Sequence, residues 1–418
     1  MSAAADQIAP ERIDPSVHRN PPTPIRIESI DLFRGLTVLI MIFVDNLGLV
    51  KGLPWWTYHM PENANGMTYV DMVFPAFLFL MGMSIPLSTR AQIARGHSQL
   101  QIWWHAVGRS LSLVALGLFV ANAPLVDARS TGMNTGLWAT LGFVAIALGW
   151  IRFPVGDRHK PIVRGLRFTG FALLVFLAAI FRRATADGHI AWLDFSDWEI
   201  LGLLGWAYLL VSAIYLVCRK QSTPKKRFAA LAFAFAVLVA INALSTAGRS
   251  SWLQPWQPYL QPFEAGLSSM TMAGVLASLL IVENDIAVSL RKKGLWTLGI
   301  AATLLAAGSL LRPMGISKIR DTPSWCLYCV SANFVIALLL YWLADVKQLG
   351  GAKFARTVGA NPLLAYFLPY IAYLIPKLGR LTADGTAGWA GVAWSAGFTT
   401  LILAAVLFLN RLKIQLRI

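Results

Sequence analysis

The chain has 418 residues, 56% of them hydrophobic and 13% charged, with a mean hydropathy of +0.59 and a formal net charge of +16. A soluble domain carries about 25% charged residues, so a soluble globular fold, a disordered chain and a collagen-like repeat are all excluded. Three cysteines cannot build a disulfide framework. What remains is an all-α, polytopic integral membrane helical bundle, because the apolar runs have helical length.

Residues 1–25 are polar and proline-rich (Pro10, Pro15, Pro21, Pro22, Pro24) and contain no apolar core. They are read as a disordered cytoplasmic tail rather than a signal peptide. Residues 26–418 are read as one transmembrane domain. Apolar stretches follow at 33–51, 70–88, 109–126, 137–151, 166–181, 199–217, 228–244, 266–283, 295–311, 325–343, 359–376 and 389–409. This gives about 12 transmembrane helices (10–12), several of them shorter than the roughly 20 residues that span a bilayer.

With the N-terminus placed inside, 26 of the 36 Lys and Arg residues fall in the tails and inside loops and 10 fall outside. The positive-inside rule therefore places both termini of this multi-pass protein in the cytoplasm. The same asymmetry explains the basic charge without nucleic acid.

An ionisable residue inside a span costs roughly 2.5–3.5 kcal/mol on insertion scales and marks a functional site by default. Asp45 is the clearest case. It lies 11 residues beyond Arg34, about 16 Å along a helix, which puts it in the outer half. Asn46 follows it, and Asp71 opens the second span. Between them runs KGLPWWTYHMPENANGMTY, residues 51–69. Trp55, Trp56 and Tyr58 read as an interfacial belt. His59 can be structural, but antiparallel neighbouring helices bring it beside Asp45, Asn46 and Asp71. An imidazole held by a carboxylate is a general base or a nucleophile. A proton-coupled transporter would use the same pair near a substrate path, so both readings stay open at this point.

Two further polar patches stand out. Residues 312–325 carry Arg312, Lys318, Arg320 and Asp321, with a helix start at Thr322-Pro323-Ser324. Gly359-Ala360-Asn361-Pro362 reads as a helix start capped by Asn361 with proline at the first position. Cys326 and Cys329 read as small packing residues rather than a redox or metal pair. No metal site is expected.

The segment RIESIDLFRGLTVLIMIFVDNLG, followed by WWTYH and NGMTYVDMVFPAFLFLMGMSIPLS, resembles the heparan-α-glucosaminide N-acetyltransferase-like transmembrane acyltransferase family, whose bacterial members include YeiB-like and NagX-type proteins. The likeness rests on Asp31, Arg34 and Gly35, on Asp45 and Asn46, on His59, on Asn65, Gly66 and Thr68, and on Asp71 to Pro75. Ile316-Ser317-Lys318 with Thr322, Ser324 and Trp325, then Leu340 to Asp345, then Gly359 to Asn361, continue it in order. The chain departs from the family pattern in carrying Asp45 where relatives often have Asn. Leu201 to Leu204 also stand where the family has a Leu-Gln-Arg element.

The resemblance implies an enzyme that passes the acetyl group of cytosolic acetyl-CoA to an amino sugar on the periplasmic side. It implies His59 as the catalytic histidine, supported by Asp45, Asn46 and Asp71. Asn65, Lys318 and Trp325 would bind the acceptor. Arg34, Arg90, Arg109 and Asn361 would hold acetyl-CoA at the basic face. The implied partners are the sugar acceptor, acetyl-CoA and membrane lipid, and a homodimer is compatible with the sequence. The alternative is an inner-membrane transporter of N-acetylglucosamine or a related sugar.

Overall fold

The structure, a computed structural model, describes residues 27–152, 160–185, 187–248, 265–283, 286, 289–349, 353–374 and 385–416. The tail expected at 1–25 lies outside the described residues.

The described helices are α1 (Glu28–Leu47), α2 (Val73–Ala94), α3 (Gln99–Asn122), α4 (Ala128–Thr131), α5 (Thr135–Trp150), α6 (Lys160–Ile180) and α7 (Glu199–Cys218). They continue as α8 (Pro224–Ala247), α9 (Gly266–Ala277), α10 (Leu290–Leu310), α11 (Pro323–Tyr341), α12 (Lys353–Gly359), α13 (Pro362–Leu374) and α14 (Gly388–Arg411). α9 and α11 run on as π-turns, Ser278–Val282 and Trp342–Val346. Each apolar stretch read from the sequence falls on a helix over most of its described residues. Among the described residues eight helices are long and apolar enough to cross a membrane, while α5, α9 with its π-turn, and α13 are apolar but shorter. The protein is a polytopic helical membrane protein.

Local chemistry sets the helix starts. α3 begins ten residues before the apolar stretch at 109–126, because Ser98 and Gln101 form a reciprocal cap. The Ser98 hydroxyl accepts from the Gln101 N–H at 3.3 Å, and the Gln101 side chain accepts from the Ser98 N–H at 2.8 Å. Thr223 caps α8 with Pro224 at its first position, and Ser289 caps α10. Ile27 cannot cap α1. The Asp345 carboxylate does so from the π-turn after α11, accepting from the N–H groups of Glu28 (3.0 Å) and Ser29 (3.1 Å). These starts share one end of the bundle, here the basic end. The loops 48–72, 311–322 and 385–387 share the other, the His59 end.

Glycines set the closest crossings. A Cβ at Gly82 on α2 would lie 1.8 Å from the Thr271 carbonyl oxygen, and one at Gly274 on α9 would lie 1.9 Å from that of Phe79. The same reciprocity joins α1 to α12. A Cβ at Gly35 would meet the Ala355 oxygen at 1.8 Å, and one at Gly359 the Asp31 oxygen at 1.8 Å. Backbones touch at these points, as small residues allow between membrane helices. All of α9 is buried, so it forms the centre of the bundle. At the basic end Ile151–Arg152 pairs antiparallel with Gln415–Leu416. At the His59 end Arg183–Ala184 pairs with Ile190–Ala191.

Candidate functional site

The loop between α1 and α2 is shaped by its own side chains. The Tyr58 hydroxyl donates to the Val50 carbonyl at 2.6 Å and accepts from the Leu53 N–H at 3.1 Å, which folds 50–58 into a tight return. Trp55 and Trp56 stay exposed, at 68% and 51%, as an interfacial belt requires. Asn65 accepts from the Ile316 N–H at 2.8 Å, and Gly66 donates to the Ile316 carbonyl at 3.0 Å. These two bonds tie the His59 loop to the Lys318 loop.

His59 is thereby set against Asp71. Its Nδ1 lies 2.7 Å from Asp71 Oδ1, with the Asp71 side chain 1% exposed and the His59 side chain 48%. Asp71 Oδ2 also accepts from the N–H groups of Thr68 (3.0 Å) and Met60 (3.3 Å). A carboxylate held by these backbone donors stays ionised and accepts from Nδ1–H, which fixes the tautomer and leaves the Nε2 lone pair free. The buried Trp325 indole donates to the Asp71 carbonyl at 3.3 Å. Trp325 thus supports Asp71 from behind rather than facing the cleft.

Lys318 Nζ stands 3.4 Å from both ring nitrogens of His59. Equal distances put the ammonium beside the ring rather than on one nitrogen. Burial lowers the Lys318 ammonium below the ordinary lysine range, against the opposing pull of Asp71 and Asp45. Asp45 is exposed although it lies on a bundle helix, and it acts electrostatically with His59 and Lys318. It therefore faces the cleft. Asn46, fully buried, donates to the Tyr373 hydroxyl at 3.0 Å.

At the basic end a cavity of about 450 Å³ opens between α1, α2, α3, α7 and α13. Arg34, Ser84, His105 and Arg109 line its mouth. Phe77, Leu80, Leu113, Leu204 and Leu363 supply its apolar shaft, and Tyr366 lines it about one turn beyond Pro362 along α13. Arg34 donates to Ser84 Oγ (2.9 Å), to the Gly359 carbonyl (3.1 Å) and to Asp31 (3.4 Å). The Asp31-x-x-Arg34-Gly35 motif is now physical: an i, i+3 ion pair aims the guanidinium, and the glycine admits α12. Arg109 lies over the Tyr208 ring at 4.9 Å and pairs with no carboxylate among the described residues.

Two residues expected here lie elsewhere. Arg90 pairs with Glu283 at 2.7 Å and does not line the cavity. The Asn361 side chain does not cap α13. It donates to Asn410 Oδ1 (3.2 Å) and the Ile414 carbonyl (3.1 Å), and accepts from the Leu416 N–H (3.2 Å). It thereby holds the strand Gln415–Leu416 against the cavity rim. Sequence reasoning missed His105, Ser84, Glu199, Tyr366, Tyr370 and Tyr373. The stripe 366, 370, 373 has helical i, i+4, i+7 spacing and is the signal that was there. Among the described residues no group of His, Cys, Asp and Glu could hold a metal. Cys326 and Cys329 are buried free thiols on α11.

A cationic cavity at one end and a carboxylate-held imidazole at the other define a helical membrane protein with a chemically equipped site on each side of its core. A family model described as "Domain of unknown function (DUF5009)" matches residues 26–309, more than half of the chain. The chain belongs to this family, the heparan-α-glucosaminide N-acetyltransferase-like one. It is 36% identical to the Homo sapiens heparan-alpha-glucosaminide N-acetyltransferase over 110 residues, covering 26% of this chain and 16% of that protein. It is 38% identical to the Mus musculus protein of the same name over 161 residues, covering 36% of this chain and 24% of that one. The matched region therefore spans at most about a quarter of those relatives.

Proposed function

We propose that the chain, acting through residues 26–418 as one unit, is an acetyl-CoA-dependent transmembrane acetyltransferase. It takes the acetyl group at the basic, cytoplasmic end and delivers it to an amino sugar at the His59 end, in the periplasm of a bacterium. The observation that carries this reading is the His59–Asp71 pair, with Lys318 beside it, opposite a cationic cavity reaching in from the other end. The names of the human and mouse relatives support it.

The donor's phosphates match Arg34 and Arg109, and its long arm matches the apolar shaft. At the other end, His59 Nε2 takes the proton of the acceptor amine as its nitrogen bonds the thioester carbon. The C–S bond breaks and the imidazolium passes that proton to the leaving thiolate, which restores neutral His59. In the covalent variant Nε2 itself carries the acetyl group first. Lys318 neutralises the carbonyl oxygen as charge develops there.

Labelled acetyl-CoA enclosed in vesicles with the protein, and glucosamine outside, tests the reading. External acetylated sugar is the expected product. Uptake of N-acetylglucosamine with no acetyl-CoA dependence overturns the enzyme in favour of a transporter. Two further outcomes are expected. Arg109→Gln raises the KM for acetyl-CoA about tenfold, because a charged hydrogen-bond donor to phosphate is lost, with little change in kcat. The pH profile of transfer falls on the alkaline side below the ordinary lysine value of about 10.4, as Lys318 loses its proton. Lys318→Arg, which stays charged, removes that limb.

A further inference from the structure

The residues between the cavity and the His59 cleft have no part in the chemistry above, yet they are organised. Glu199 opens α7 in the left-handed region, with φ 53, a backbone conformation that a residue with a side chain keeps where its surroundings hold it. Its Oε1 accepts from the hydroxyls of Tyr366 (2.5 Å) and Tyr370 (3.3 Å), and its Oε2 from the Leu201 N–H (3.0 Å). The two phenol oxygens are 3.2 Å apart.

Three observations put this cluster on a route between the two ends. Tyr366 lines the cavity, about 6 Å along α13 from Pro362. Tyr370 and Tyr373 follow on the same helix face, and Tyr373 is bonded to Asn46, the neighbour of Asp45, at 3.0 Å. Glu199 and Tyr370 are half-buried in the interior of the bundle, so the surface they keep faces internal space.

From its mouth inward the cavity offers cations, then an apolar shaft, then this cluster. A phosphorylated donor whose long arm ends in an amide and a thioester presents the complementary order. Its far end needs one acceptor for the amide N–H and one donor for the thioester oxygen. The Tyr366 hydroxyl donates its hydrogen to Glu199, so its oxygen keeps accepting capacity on the cavity side. Tyr370 makes the two longest hydrogen bonds of the cluster and is the hydroxyl most easily redirected.

Resting on the acetyl-donor reading, we propose that Glu199, Tyr366 and Tyr370 form the receiving site for the amide–thioester end of the donor's arm. Tyr366 accepts the amide N–H, Tyr370 donates to the thioester carbonyl, and Glu199 is the positioning residue that orients both. The thioester is held there first and advances to His59 and Lys318 for transfer, so no bond is made or broken at the cluster.

The test is equilibrium binding to the full chain in detergent, with acetyl-CoA as one probe and 3′,5′-ADP, which carries the nucleotide end without the arm, as the other. Tyr366→Phe and Tyr370→Phe are each expected to weaken acetyl-CoA about tenfold and to leave 3′,5′-ADP unchanged. Arg109→Ala is expected to weaken both probes. Unchanged acetyl-CoA affinity in the two tyrosine variants overturns the assignment and leaves the acyltransferase reading standing. Parallel loss of both probes in those variants makes the cluster a fastener between α7 and α13 and overturns it as well. Failure of the unaltered chain to bind acetyl-CoA removes the donor reading and this site with it.

Discussion

His59→Ala is expected to lower acetyl transfer by about 10²–10⁴, the range for removing a positioned acid–base group, while acetyl-CoA binding stays near its starting value. The split follows from the geometry. His59 belongs to the loop at one end, and the cavity lined by Arg34 and Arg109, the proposed seat of the donor's phosphates, opens at the other. Asp71→Asn should fall between this variant and the unaltered chain. The amide keeps the shape of the carboxylate, but it loses the charge that fixes the imidazole tautomer through the 2.7 Å contact and stabilises its protonated form. Transfer from labelled acetyl-CoA, measured alongside binding, checks both variants. Full transfer by His59→Ala would sink the catalytic assignment.

The second large effect concerns the scaffold. Gly82→Ala is expected to destabilise the protein by roughly 1–3 kcal/mol or more, the usual cost of overpacking a close contact. Here the added methyl meets the Thr271 backbone oxygen at 1.8 Å, which no side-chain rotation relieves. Gly274→Ala, across the same crossing, should behave alike. Gly108→Ala is the control, since nothing lies within 4 Å of its added carbon. On an exposed helical site alanine should be neutral or slightly stabilising. Thermal unfolding in detergent separates the three variants. Equal melting temperatures would refute the contact-based account.

The helices were legible because each apolar run is long enough to be recognised without knowing its neighbours. The His59 end was legible too, because Asp45, His59 and Asp71 lie within one hairpin of the chain and a polar loop joins them. The rest of the site depends on partners far apart in sequence. Glu199 meets Tyr366 across 167 positions, and by itself the tyrosine stripe on α13 reads as ordinary aromatic packing. Arg90 looks like a phosphate ligand until Glu283 is seen to claim it. Asn361 looks like a cap until the strand Gln415–Leu416 is seen to bind it. Trp325 follows a motif correctly, but its full burial gives it a supporting position that spacing does not reveal.

The glycine crossings have a mechanical consequence. Where α1 meets α12 and α2 meets α9, backbone rests on backbone, so these couples behave as stiff staves that cannot slide without a clash. α13 is held differently, by phenol hydroxyls and stacked rings such as Tyr373 against Phe398. It also has a break at Ala360-Asn361 before it and Pro369 within it. Rings can slip and hydroxyls can swap partners at small cost, so the cavity should lengthen toward the His59 end by a swing of this one stave while the α1–α12 and α2–α9 couples stay rigid.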